Sequence, residues 1–164
     1  MLTFRKLPKK GSIITAVLLL LIDQFSKFLV LEKINIGEAV NIAPCFNFIL
    51  TFNNGVTFGW LKAYSNLQFI LLVVGVCVMS VIVAFWWLRA ENSTQRYATA
   101  IILAGAIGNL VDRLRFRGVV DFIDFYIFDY HWYTFNVADA AIVIGVVLLL
   151  LDSFFKKSRH TGLF

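Results

Sequence analysis

Two aspartates stand out for their settings. Asp121 lies in Gly118-Val119-Val120-Asp121-Phe122-Ile123-Asp124, with apolar residues on both sides. Asp139 lies in Phe135-Asn136-Val137-Ala138-Asp139-Ala140-Ala141, at the opening of a long apolar run. Two carboxyls brought together where water is scarce cannot both ionise freely, so near neutral pH such a pair shares one proton. The ionised member takes a proton from water while the protonated member polarises a carbonyl, as in aspartic proteases. This chemistry needs no metal and no nucleophilic side chain. HExxH and GxSxG signatures are absent, His131 and His160 are scattered, and Cys45 and Cys77 are far apart, so neither a metal site nor a disulfide framework is expected.

Each aspartate also has a plainer reading. Asp121, taken alone, reads as an exposed loop carboxylate. Asn136-x-x-Asp139 reads as an N-cap with an acidic residue at the third helical position, favoured by the helix dipole. The other polar residues of the apolar runs divide in the same way. Asp23 and Lys27 lie four apart and share a helix face, as an ion pair or as part of a site. Ser26 and Lys27, adjacent on a helix, point about 100° apart and do not form a Ser/Lys pair. Asn109, Asp112 and Arg113 share one face, either as functional groups or as interfacial groups reaching toward lipid phosphates. Ala104 and Gly108 form a small-xxx-small pair for close helix packing. What favours a site is convergence: Asp121, Asp139 and the Asn53-Asn54-Gly55 segment all fall at one end of the expected bundle.

The elements that must position these groups are legible from composition. Apolar residues make up 60% of the chain and charged residues 15%, against about 45–50% and about 25% in soluble domains. Lipid must solvate most of that surface. Four apolar runs, about 12–31, 67–88, 97–113 and 137–155, predict four transmembrane helices in a single domain over 1–164. The apolar part of the third run, Tyr97–Val111, spans only about 23 Å at helical rise, which predicts that its polar end sits below the membrane surface. The first run has a basic leader but no A-x-A-like cleavage site, and reads as a retained helix. Nine Lys and Arg residues flank one side (Arg5, Lys6, Lys9, Lys10, Arg89, Arg96, Lys156, Lys157, Arg159) and six the other (Lys27, Lys33, Lys62, Arg113, Arg115, Arg117), which predicts both termini inside. The net charge of +5 follows helix ends rather than a basic stripe, so nucleic acid is not an expected partner. Cys45–Phe52 alternates as a strand with an aromatic face, and Phe122–Phe135 is dense in aromatics; both are expected at the outer membrane surface.

The blocks DQFSK (23–27), NNGVTFG (53–59), GAIGNLVDR (105–113), VVDFIDF (119–125) and FNVADAA (135–141), in this order and spacing, resemble those of bacterial lipoprotein signal peptidases over nearly the whole chain. The resemblance implies an all-α membrane protein with a small β-like cradle and a flap. It implies an aspartic endopeptidase without cofactor, whose dyad is Asp121 and Asp139. Asn109, Arg113 and Asn136 would line the site, and Asp23, Asn53, Gly55, Gly108, Asp112 and Ala138 match further motif positions. The implied substrate is a diacylglyceryl-modified prolipoprotein, cut on the amino side of the lipidated Cys, and the implied inhibitor is globomycin. A monomer in the bacterial inner membrane, with its site near the outer face and its substrate's lipid entering from the bilayer, is the matching expectation. Departures are Phe52 where Arg is frequent, Val56-Thr57 for Ala-Ala, and Ala104 for Gly. A reading of a different class, a non-catalytic lipid- or solute-binding transport protein, rests on Arg113, Arg115, Arg117 and the Asp23–Lys27 pair, but no inverted repeat or pair of broken helices accompanies them.

Overall fold

The computed structural model describes residues 10–55 and 65–161, with side chains as far as residue 156. Val56, Thr57, Lys62, the leader residues Arg5, Lys6 and Lys9, and the side chains of Lys157, Arg159 and His160 lie outside the described residues. Four helices, α1 (Lys10–Lys33), α2 (Asn66–Leu88), α3 (Ser93–Phe116) and α4 (Val137–Thr161), are each long and apolar enough to cross a membrane. Among the described residues, four strands, β1 (Ala39–Ala43), β2 (Phe46–Asn53), β3 (Val119–Ile127) and β4 (Tyr130–His131), form one antiparallel sheet in the order β1-β2-β3-β4.

The spans differ in hydropathy because they differ in surroundings. α2 is the most apolar and only 6% of its window is buried, whereas α3 is the least apolar and 50% buried. α3 packs against all three other helices and is the axis of the bundle. It approaches α4 and α1 closely because Gly105 and Gly108 lack side chains: a Cβ at Gly105 would meet the Ala138 carbonyl, and one at Gly108 the Asp23 carboxylate. Large apolar side chains such as Leu21, Leu71, Val81 and Leu150 stay exposed on the bundle surface, where lipid is the solvent.

α3 is longer than the short apolar run that announces it. Its polar turns are helical too, because Asn92 caps the start by accepting from the Gln95 amide at 2.8 Å, and Arg117 ends it in the left-handed region at φ 59°. The Arg117 guanidinium donates to Asn66 Oδ1 at 2.7 Å and lies 4.8 Å over the Phe69 ring, tying this reversal to the start of α2. With these polar turns included, α3 has 24 residues and runs past the apolar stretch 97–113 at both ends.

The sheet sits at the same end of the bundle. Leu50, Val120 and Phe122 pack against Val30 of α1 and Ile34 just beyond its end in one buried cluster, with Phe48 and Phe52 beside it. β2 runs one residue further than the alternation predicts, and its register shifts between Phe48 and Thr51, so Thr51 pairs with Asp121 and Asn53 with Val119. Backbone amides of Phe122 and Ile123 donate to the Phe135 carbonyl at 3.1 and 2.8 Å, and the Phe135 amide returns a bond to Ile123. That lock sets the next residue, Asn136, beside β3 just as α4 begins.

Candidate active site

Asn136 opens α4 as its N-cap: its Oδ1 accepts from the Asp139 amide at 2.9 Å, and its own backbone amide donates to Asp139 Oδ2 at 3.4 Å. The capping reading of Asn136-x-x-Asp139 is thus correct, and it does not exhaust these residues. The Asn136 side-chain amide faces the opposite way and donates to Asp121 Oδ1 at 2.7 Å. One buried asparagine therefore donates to both carboxyls, from its side-chain amide to Asp121 and from its backbone amide to Asp139. The Asn53 amide donates to the second Asp121 oxygen at 3.2 Å, and the Asn109 amide donates to Asp139 Oδ1 at 2.8 Å.

Asp121 is not an exposed loop residue: it is 2% exposed. Burial in this setting raises its pKa to about 7, and the negative charge of Asp139 adds to the rise, against the Asn53 and Asn136 hydrogen bonds and the more distant Lys27 charge. Near neutral pH its proton is half retained. The pair can therefore present one protonated and one ionised carboxyl, as proton-shuttling hydrolysis requires.

A second polar layer lies beneath. Lys27 Nζ is 2.8 Å from both Asp23 Oδ2 and Asp112 Oδ2, and donates to Asn109 Oδ1 at 3.1 Å. The other oxygen of Asp23 accepts from the Ala138 backbone amide at 2.9 Å, joining α1 to the first turn of α4. Asp112 Oδ2 accepts from the Val120 amide at 3.2 Å, joining α3 to β3. Gln24 Nε2 lies within 3.3 Å of oxygens on Asp23, Gly108 and Asp112. Arg113 donates to the carbonyls of Asn109 at 3.2 Å and Gly55 at 3.1 Å, and Gly55 in turn donates its amide to Asn53 Oδ1 at 3.0 Å. All the candidate residues read from the sequence, from Asp23 and Asn53 to Ala138 and Asp139, thus meet at one level of the bundle. Asp112 as a partner of Lys27, and Gln24 altogether, escaped the reading. They lie on facing helices, and spacing along one helix carries no signal for either.

A cleft of about 990 Å³ opens between α2, α3 and α4. Apolar side chains such as Leu71, Val76, Met79, Ile142 and Val146 line it, and Asn109, Arg113 and Asp139 supply its polar end. The cleft is thus apolar along its walls and polar at one end.

A second polar cluster lies in the sheet. Asp124, 3% exposed, accepts from Asn47 at 3.1 Å and lies 2.9 Å from His131 Nδ1. It shares no hydrogen bond with the group around Asn136.

Residues 15–155 match the family described as signal peptidase (SPase) II. The lipoprotein signal peptidase of Alteromonas mediterranea is 38% identical over 153 residues, covering 90% of this chain and 84% of that protein. That of Coxiella burnetii is 41% identical over 145 residues, covering 87% and 89%. A bacterial membrane enzyme solved by the in meso method at 2.3 Å resolution superposes with a TM-score of 0.85 at 28% identity, covering 96% of this chain and 95% of the other. A second such enzyme, solved at 1.9 Å, gives 0.79 at 29% identity, with 92% and 96% covered.

Proposed function

The chain belongs to the signal peptidase II family and is a multi-pass membrane protease that removes signal peptides from prolipoproteins; from that premise we propose that Asp121 and Asp139 are its catalytic dyad. The observation that supports the proposal is that Asn136 donates to both carboxyls, through its side chain to Asp121 and through its backbone to Asp139, and that Asp121 keeps its proton up to about pH 7.

In this reading Asp139 is the ionised member. It takes a proton from a water molecule as that water attacks the scissile carbonyl carbon. Protonated Asp121 donates to the carbonyl oxygen, which becomes a hydroxyl of the tetrahedral intermediate. Collapse of the intermediate breaks the C–N bond, with a proton delivered to the departing amine. The products are the signal peptide's new carboxyl end and the free amine of the mature lipoprotein. Asn53, Asn109 and Asn136 hold the carboxyls, and Arg113, fixed by the Gly55 and Asn109 carbonyls, faces the substrate's polar groups. Asp23, Asp112, Gly108 and Ala138 hold the helices that carry them.

The bond cut lies on the amino side of a diacylglyceryl-modified Cys. The cleft between α2, α3 and α4 receives apolar parts of the substrate laterally, so its acyl chains never leave lipid. The protein acts as a single-domain monomer in the inner membrane, with both termini inside and the dyad near the outer face, and globomycin-type inhibitors compete for the same site.

The test is cleavage of a diacylglyceryl-modified prolipoprotein by the purified protein in lipid, read as a gel shift. Asp121→Asn and Asp139→Asn are each expected to lower the rate by at least about 100-fold. Full cleavage by either variant would remove that residue from the dyad.

A further inference from the structure

Lys27 is a buried cation that the hydrolytic step leaves unused. Its side chain is 3% exposed, deep among α1, α3 and α4. An ammonium has three hydrogens, and three acceptors take them: Asp23 Oδ2, Asp112 Oδ2 and Asn109 Oδ1. The first two are structural tethers, because those carboxylates also accept the Ala138 and Val120 amides. The third points toward the dyad.

An asparagine amide has two ends, and only the NH₂ end can donate to Asp139. We propose that Lys27 is a positioning residue for hydrolysis: by claiming Asn109 Oδ1, it fixes the Asn109 amide with its NH₂ group on Asp139, and so selects Asp139 as the ionised member of the dyad. The inference rests on the dyad proposed above. Asn136 cannot do this alone. Its two amide hydrogens face three acceptors, Asp121 Oδ1 at 2.7 Å, Asn109 Oδ1 at 3.1 Å and the Val120 carbonyl at 3.2 Å, and the closest is Asp121. Without Lys27 the Asn109 amide is free to turn, setting an oxygen against the Asp139 carboxylate.

Charge acts in the same direction. The charged groups that act on Asp121 are Asp139 on α4, Lys27 on α1 and Arg113 on α3, and the Lys27 cation opposes the rise in the Asp121 pKa. Its removal therefore moves loss of the Asp121 proton to higher pH. A merely structural lysine would change the amount of folded enzyme and leave the shape of the pH profile alone.

The experiment compares the parent with Lys27→Met, Asn109→Ala and the double variant Lys27→Met/Asn109→Ala, using the full chain in lipid and a diacylglyceryl-modified prolipoprotein, with kcat and KM measured from pH 5 to 9. The expected result has three parts. Lys27→Met lowers kcat about 10- to 100-fold with KM nearly unchanged, as for misplaced catalytic groups. The alkaline limb of its profile moves to higher pH. The double variant is no slower than Asn109→Ala, because both substitutions break one link. Lys27→Met leaves Asp23 and Asp112 unpaired, so Lys27→Met/Asp112→Asn is run as a variant of better-balanced charge, and where Lys27→Met fails to fold the same kcat loss and limb shift are required of it. Multiplying losses in the double variant, or a profile of unchanged shape, overturn the proposal. Asp121→Asn and Asp139→Asn run alongside separate the two failures: if both are inactive while Lys27→Met has the parent's kcat and profile, the dyad stands and the role of Lys27 falls.

Discussion

Asn136 gives one side chain two duties that make different demands on chemistry. The cap needs only an oxygen at the right distance from the Asp139 amide, and Ser supplies that about as well as Asn. Holding Asp121 needs an N–H that reaches it, which Ser cannot provide. Asn136→Ser is therefore expected to stay within about 2 kcal/mol of the parent in unfolding free energy, while kcat falls at least about 100-fold; thermal unfolding and the cleavage assay on one preparation check both. Asp121 also links pH to stability. Its folded-state pKa of about 7 lies above the unfolded value of 3.8, so the folded protein binds its proton more tightly, and stability present below pH 4 declines as pH rises through 7. The loss is on the order of 4 kcal/mol. Asp121→Asn is expected to flatten that part of the melting-temperature profile between pH 4 and 8. With Asp121 as the proposed acid, activity of the parent is expected to fall above about pH 7 as the same proton leaves. The aspartates themselves were legible, since apolar neighbours around Asp121 and a cap pattern around Asp139 are local signals. Lys27's bond to Asp112 was not, because it joins α1 to α3.

Elements were read best where hydropathy alone decides them. α1 and α2 begin and end within two residues of their apolar runs, and α4 starts where expected but continues to Thr161. α3 extends past its apolar run into polar turns at both ends, and a polar turn is helical only if something satisfies its backbone. Asn92 does so at the start, and its amide also donates to Asp152 Oδ1 at 2.9 Å, stapling the α2–α3 turn to α4. Asn92→Ala removes cap and staple together and is expected to cost about 1–2 kcal/mol in unfolding free energy, measured in detergent. Cleavage by the folded variant should match the parent, because this contact is at the end of the bundle away from Asp121. The sheet was half legible. Alternation announced β2, but β1 is short and exposed throughout, its Val40 and Ile42 included. The register shift opposite β3, which sets Thr51 against Asp121, leaves no mark in a period-two pattern.

At the scale of the molecule, a polar knot closes one end of an apolar bundle and a lateral cleft leads to it. Gly75 lines that cleft, and a Cβ added there meets nothing within 4 Å. Gly75→Phe would occupy the cleft without displacing its walls. Cleavage of the lipid-modified substrate is expected to lose about tenfold or more in kcat/KM, with the melting temperature held or raised, since Gly is a poor helix former. An unchanged kcat/KM would mean that substrate does not use this route.

The knot also bears on how such a protein is made. The Asp23 carboxylate waits on α1 for a backbone amide of Ala138, and Asp121 waits on β3 for the side chain of Asn136, so both are completed only by the last helix. Asp139 itself arrives on that helix. A chain still emerging from the ribosome, with three spans inserted and the fourth unmade, holds Asp121 without Asp139. With Asp121 and Asp139 as the proposed dyad, proteolytic competence would be deferred to the end of synthesis by the order of the spans.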